Sequence, residues 1–243
     1  MRMLTFSSRC AKEILRDPLN LCFGLGFPLV LLFLLSAMQA NISVSLFEIE
    51  RLTPGITVFG LSFMTLFSAT LVAKDRESAF LHRLYTTPLT AFDFIAGYML
   101  PILPIAIAQS AICYLAALPW GLTFSMKIVY AIIGIIPMSI FNIALGLLCG
   151  SLLGVKQVGG ICGALLTNLS AWMSGVWFDL ELVGGFFVKL SRLLPFVHAV
   201  EMERALVVGD FRSAWAHILP IIIYSIAITV GAVFCFLRQM KKQ

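Results

Sequence analysis

Charge is scarce in this sequence, and side chains that carry chemistry are scarcer. Only 12% of its 243 residues are Asp, Glu, Lys or Arg, and three are histidine, whereas 60% are hydrophobic. A soluble domain carries roughly a quarter of its residues charged and hides its apolar side chains as periodic stripes. Here the apolar residues form long runs instead. None of the seven lysines follows a glycine, so the G-x-x-x-x-G-K-[ST] phosphate loop is missing and ATP hydrolysis by this chain is not expected. No H-E-x-x-H occurs, and no two of the six cysteines are spaced as C-x-x-C, so a zinc centre is not expected. The period-two alternation of a membrane β-barrel is also lacking.

What is present is length without charge. Six stretches, 19–40, 54–73, 94–118, 128–153, 158–178 and 218–237, contain no Asp, Glu, Lys, Arg or His. A helix needs about 20 apolar residues to cross a hydrocarbon core of ~30 Å. Backbone groups in lipid must satisfy one another, so the expected fold is an all-α membrane protein with six transmembrane helices. The first stretch is too long for a signal-peptide core, follows a segment with Glu13 and Asp17, and precedes no A-x-A site, so it reads as a retained helix. Cys22, Cys113, Cys149, Cys162 and Cys235 lie in these stretches and Cys10 before them. Packing, not a disulfide framework, is their expected role.

Positive charge orients the six spans. With an even number, both ends lie on one side. That side receives Arg2, Arg9, Lys12, Arg16, Lys74, Arg76, Arg83, Lys156, Arg238, Lys241 and Lys242, and the other receives Arg51, Lys127, Lys189, Arg192, Arg204 and Arg212. The excess places both termini in the cytoplasm. This asymmetry accounts for the net charge of +5, and no nucleic-acid partner is implied. The spans also lack the carboxylates and histidines with which ion-coupled transporters bind their ions, so the energy source is sought elsewhere.

The segments between spans carry the functional signal. Within residues 1–18, Met3, Phe6, Cys10 and Ile14 share one helical face and Arg9, Lys12, Glu13 and Arg16 another. That pattern predicts an amphipathic interfacial helix with basic side chains at lipid headgroups, ended by Pro18. Residues 74–91 start with dense charge, continue with Phe80, Leu81 and Leu84 at helical spacing, and reach a stop at Pro88. The apolar face of so short a helix rests either on the bilayer and its neighbours or in a cytoplasmic partner.

This segment resembles the coupling region of type-two ATP-binding-cassette exporter permeases, roughly E-R-E-x-G-T-x-E-x-L-x-x-T-P. Arg76, Glu77, Leu84, Thr87 and Pro88 match, and Asp75 stands for the first Glu; Ala79, Phe80 and His82 depart from the Gly, Thr and Glu. A second resemblance is carried by Met173 to Phe178 and by Leu194 to Arg204, similar to the family's S-G-x-x-F and L-P-x-x-x-x-x-x-x-x-R patterns, with Asp179 in place of a frequent Pro. The resemblance implies one permease domain over 1–243 in a bacterial cytoplasmic membrane, with a coupling helix in 74–91. It implies an ATPase-coupling set of Arg76, Glu77, Phe80, Leu81, Arg83, Leu84, Thr87 and Pro88. It also implies an ABC ATPase subunit that binds the ATP and Mg, and a second permease, either an identical copy making a homodimer or a related chain. Residues 179–213 would then form short outer re-entrant helices, with breaks at Gly184, Gly185 and Pro195, instead of a plain surface loop.

Other features leave alternatives open. His198, Glu201 and Glu203 could suggest a metal site, but a zinc centre wants three or more converging ligands. Gly146, Gly150 and Gly154 form a small-residue ridge, as do Gly159 and Gly163, for close helix contact within one copy or between two. Gln109, Asn142, Asn168, Ser170 and Trp172 are the candidate substrate path, each equally an interhelical contact. An uncharged path suits an amphipathic or apolar cargo, and the family resemblance implies one such as a drug, antibiotic or peptide. The alternatives are a lipid or polysaccharide-precursor exporter, a passive channel-like membrane protein, and an intramembrane enzyme.

Overall fold

The computed structural model describes residues 2–42, 47–78 and 90–240, and these are helical almost throughout, with no strand among them. Helix α1 (Arg2–Leu15) ends just before Pro18, which takes the first turn of α2 (Pro18–Gln39), where a missing N–H is harmless. The Asp17 carboxylate caps that turn, accepting from the Asn20 backbone N–H at 3.3 Å. Helices α3 (Ile49–Gly60) and α4 (Ser62–Glu77) are one long rod broken at Leu61. Helix α5 (Ala91–Ala117) opens with a reciprocal Thr90–Asp93 capping box, and α6 (Met126–Leu152) follows. Helix α7 covers 155–173, wound as a π-helix over Gly159–Leu166. Helices α8 (Gly185–Leu193), α9 (Pro195–Val208) and α10 (Phe211–Met240) complete the chain.

Five helical rods are long and apolar enough to cross a membrane: Pro18–Gln39, Ile49–Glu77, Phe92–Trp120, Met126–Leu152 and Phe211–Arg238. The sixth expected span, 158–178, stops instead at Met173 and is continuous from Val155. Lys156, Gln157, Thr167, Asn168 and Ser170 make α7 less apolar than the others. Its ends nevertheless reach opposite ends of the bundle: the Val155 N–H donates to Glu77 at one, and the Gly175 carbonyl, just past Met173, accepts from Arg204 at the other.

The core sits around α4, α6 and α10. Helix α4 packs most closely on α6, and α6 on α10, while α9 lies across α3, α6 and α10. Tyr98, Tyr114, Phe94, Phe236, Ile135 and Met138 are among the side chains wholly withdrawn from the surface. Of the five rods, Ile49–Glu77 is the central one: 89% of its most apolar stretch is buried, against 17% for Phe211–Arg238. Gly146 and Gly150 on α6 explain its closeness to α4. A Cβ at Gly146 would overlap Ser68 Oγ and the Thr65 carbonyl, and one at Gly150 the Ala69 carbonyl. That ridge is therefore a contact within one copy, whereas an added Cβ at Gly159 meets nothing within 4 Å.

Helix α1, expected as an amphipathic interfacial helix, has the amphipathic pattern, and the structure shows what its apolar side rests on. Its apolar face is covered by protein: Phe6 stacks edge-on to Phe94 (5.6 Å) and Tyr98 (4.9 Å) at the start of α5, and Cys10 and Ile14 are buried beside it. A face of Phe, Cys and Ile satisfies the hydrophobic effect equally against lipid or protein. Periodicity alone does not tell the two apart.

Candidate functional site

The end of α4 is where three parts of the molecule meet. Asp75 is 1% exposed, and its carboxylate accepts a two-pronged bond from Arg9, with Nη1 to Oδ2 and Nη2 to Oδ1 both at 2.6 Å. The Tyr98 hydroxyl of α5 donates to the same Oδ2 at 2.8 Å. Such a carboxylate has its charge matched and both oxygens hydrogen-bonded, the condition under which a buried charge is tolerable. Burial works against the Arg9 charge, but the Asp75 hydrogen bond and charge outweigh it and hold the guanidinium above its ordinary range. Arg9 also pairs with Glu13 at 2.7 Å, and Lys74 reaches Asp17 at 3.4 Å. Burial pushes the neighbouring Cys10 thiol up to about 12.

Arg76 and Glu77 turn the other way. Arg76 donates through Nη1 to the Ser151 carbonyl and through Nη2 to the Leu153 carbonyl at 2.7 Å, at the C-terminal end of α6. Glu77 Oε1 accepts the Val155 N–H at 2.8 Å, at the start of α7. Cation at the carbonyl end and anion at the N–H end is the pairing that helix dipoles favour. The expected partner-facing rim is thus engaged inside the protein for these two residues. Phe80, Leu81, Arg83, Leu84, Thr87 and Pro88 lie outside the described residues.

The candidate path residues do not converge. Gln109 is buried on α5, and its Nε2 approaches the Thr57 carbonyl at 3.5 Å. Leu61 N, which would take that carbonyl in a regular α-turn, bonds Val58 O instead, at the break between α3 and α4. Asn142 is 2% exposed in the α4–α6 seam, where the Thr65 hydroxyl donates to its carbonyl at 2.9 Å and its amide donates to Met138 O. Ser170 bonds back to Thr167 O. Only Asn168 and Trp172 stand on the exposed face of α7, with Trp172 at 58% exposure.

At the opposite end the two C-terminal motifs touch. Gly175 adopts φ 69°, a conformation that glycine takes without strain, and its carbonyl accepts from Arg204 Nη2 at 3.0 Å. Arg204 Nε donates to Arg51 O at 3.3 Å, so the second motif's arginine ties α9 to the ends of both α7 and α3. Two residues of the considered metal cluster point apart: Glu201 faces Arg204 (3.7 Å), whereas Glu203 turns into the core. His198 instead meets His217, Nδ1 to Nδ1 at 3.0 Å, with its Nε2 held by Arg192 O at 2.9 Å. A carbonyl only accepts, so His198 Nε2 carries a proton and the two Nδ1 atoms share one between them. Among the described residues no group of three or more His, Cys, Asp or Glu is arranged to hold a metal.

Glu203 is the residue that sequence reasoning underrated. It is 0% exposed; Tyr114 donates to its Oε2 at 2.6 Å, and its Oε1 has no hydrogen-bond partner among the described residues. Tyr114 lies 89 positions away on α5, so no local pattern announces the pair.

An all-helical bundle whose five long rods are apolar enough to cross a membrane marks the class as a multi-pass membrane protein. Residues 2–208 match the ABC-2 type transporter family, and the chain belongs to it: a multi-pass membrane permease of an ATP-binding-cassette transporter, a class that works with an ATPase. No curated protein and no solved structure matches the chain.

Proposed function

We propose that this chain is the permease subunit of an ATP-driven exporter, acting as two permeases over two separate ATPase subunits. The observation that carries the reading is the corner at residues 74–77, where the start of the coupling pattern is braced against α1, α5 and the α6–α7 turn. A segment that receives force from a partner needs such bracing, because a loosely held loop would absorb the movement. The corner belongs to the end richer in Lys and Arg, which supports a cytoplasmic orientation for it and for both termini.

In this reading α7 is the sixth crossing, since its ends lie at opposite ends of the bundle. Its less apolar exposed face, with Asn168 and Trp172, then faces a second copy and the cargo route rather than lipid, where a polar side chain is costly even when, like Asn168, it donates its amide to its own helix, at 2.8 Å from the Ala164 carbonyl. Gln109, Asn142 and Ser170 leave the proposed path for structural roles. Helices α8 and α9 form the outer re-entrant cap. Lys12 and Arg16 on α1 reach the lipid headgroups, and the cargo is an amphipathic or apolar small molecule or peptide.

Reconstitution tests this directly. Liposomes holding this chain and its cognate ATPase are expected to move fluorescent amphipathic dyes only with ATP and Mg present. Equal dye flux from the permease alone would make it a passive channel and overturn the reading.

A further inference from the structure

Three consecutive residues at the end of α4 project about 100° apart around the helix, so Asp75, Arg76 and Glu77 reach three different neighbours. Asp75 takes Arg9 of α1 and Tyr98 of α5. Arg76 takes the last carbonyls of α6, and Glu77 takes the first available N–H of α7. Between those two attachments lies only the short turn at Gly154. We propose that these residues form a junction through which the end of α4, helix α1 and the α6–α7 turn move as one body when the coupling segment is displaced, with Arg76 and Glu77 acting as positioning residues within the permease and not as contacts to the ATPase. The proposal rests on the reading of residues 74–91 as the ATPase-docking loop.

The chemistry of each attachment gives the junction distinct requirements. The Arg76 fork supplies two donors to two carbonyls, which a lysine ammonium on a flexible stem reproduces poorly. Glu77 needs first an acceptor for the Val155 N–H, and its charge adds only the smaller gain from the α7 dipole. Gln supplies that acceptor, and Ala does not. A partner-contact role for the same residues asks for the reverse: Arg76→Lys keeps the charge and is tolerated, and Glu77→Gln removes it and fails.

The test uses the complex of permease and cognate ATPase in membranes, in a cysteine-free background with spin labels at Ser78 and Lys156, or at Ser213. Distances are read by pulsed electron resonance without nucleotide and after trapping with ATP and vanadate, and recovery of the ATPase with the permease is measured alongside. The wild type and Glu77→Gln are expected to give one narrow Ser78–Lys156 distance in both states, with the ATPase fully recovered. Arg76→Ala, Arg76→Lys and Glu77→Ala are expected to broaden that distance and abolish the nucleotide-driven change at Ser213, with the ATPase still recovered. A Ser78–Lys156 distance that shifts on trapping in the wild type, or loss of the ATPase in Glu77→Gln, would overturn the junction. Failure of the wild type to hold the ATPase would instead overturn the docking reading, while the distance widths in Arg76→Ala still decide whether the corner is one body.

Discussion

Asp75 and Glu203 are both buried carboxyl groups, and their surroundings make them opposite cases. Asp75 meets a guanidinium fork and a phenol. Truncating Arg9 to Ala leaves it one donor, and the expected loss is about 1.5–3 kcal/mol, the range for hydrogen bonds to charged groups. Thermal unfolding in detergent checks this, and a double-mutant cycle of Arg9→Ala with Tyr98→Phe should show coupling through the shared carboxylate. Among the described residues Glu203 has one donor and an orphaned oxygen. Glu203→Gln keeps an acceptor for Tyr114 and is expected to fold as well as the wild type. Tyr114→Phe strands the carboxyl and is expected to cost about 1–3 kcal/mol in the same measurement. Cys10, buried and with its thiol pushed up to about 12, should resist maleimide at neutral pH until the protein is denatured. Fast native labelling would mean that α1 leaves its seat.

At the scale of elements, the glycines on α6 and α7 divide sharply. Gly146→Ala is expected to force α4 and α6 apart and lower the unfolding temperature, because the overlapping Thr65 carbonyl is backbone and cannot turn aside. Gly159→Ala should leave the unfolding temperature unchanged within one copy, since nothing lies near. The rods themselves were legible in the sequence, because lipid demands unbroken apolar length and leaves charge only at the ends. The lower limit of α7 was not: Lys156 marked an apparent boundary, yet its side chain is exposed at the bundle end and the helix continues through it. Gln109 and Asn142 were readable as polar residues in spans but not as fasteners, since a carbonyl at a helix break or a seam to α4 depends on neighbours 52 to 77 positions away. Arg76 and Glu77 were legible as a motif, whereas the direction in which they point was not. Helix ends supply their targets, and a local pattern does not show which helix ends lie nearby.

For the whole molecule, sidedness and assembly follow from the same layout. Single cysteines at Ser213 should react with an impermeant maleimide from outside, and at Ser78 only after the membrane is opened; outside labelling of Ser78 would reverse the orientation and with it the proposed ATPase face. Native mass spectrometry of the intact complex is expected to find two permeases with two ATPases. Replacing Gly160 or Asn168 by Leu, on the exposed face of α7, should reduce that assembly without unfolding the single chain. A complex unchanged by both substitutions would move the second copy to another face.

The buried rod Ile49–Glu77 also has a consequence for how the protein is made. It leaves the ribosome well before α6, the helix that later covers it, and so must wait in lipid with its hydroxyl groups exposed. Four of them come already answered: Thr53 bonds to Ile49 O, Thr57 to Thr53 O, Ser62 to Phe59 O and Ser68 to Met64 O, all within the same rod. Among the described residues Thr65 bonds instead to Asn142, on the helix still to come. The nascent segment therefore meets most of its own hydroxyls on insertion, and the Thr65 hydroxyl it leaves unmet marks the side on which α6 will arrive.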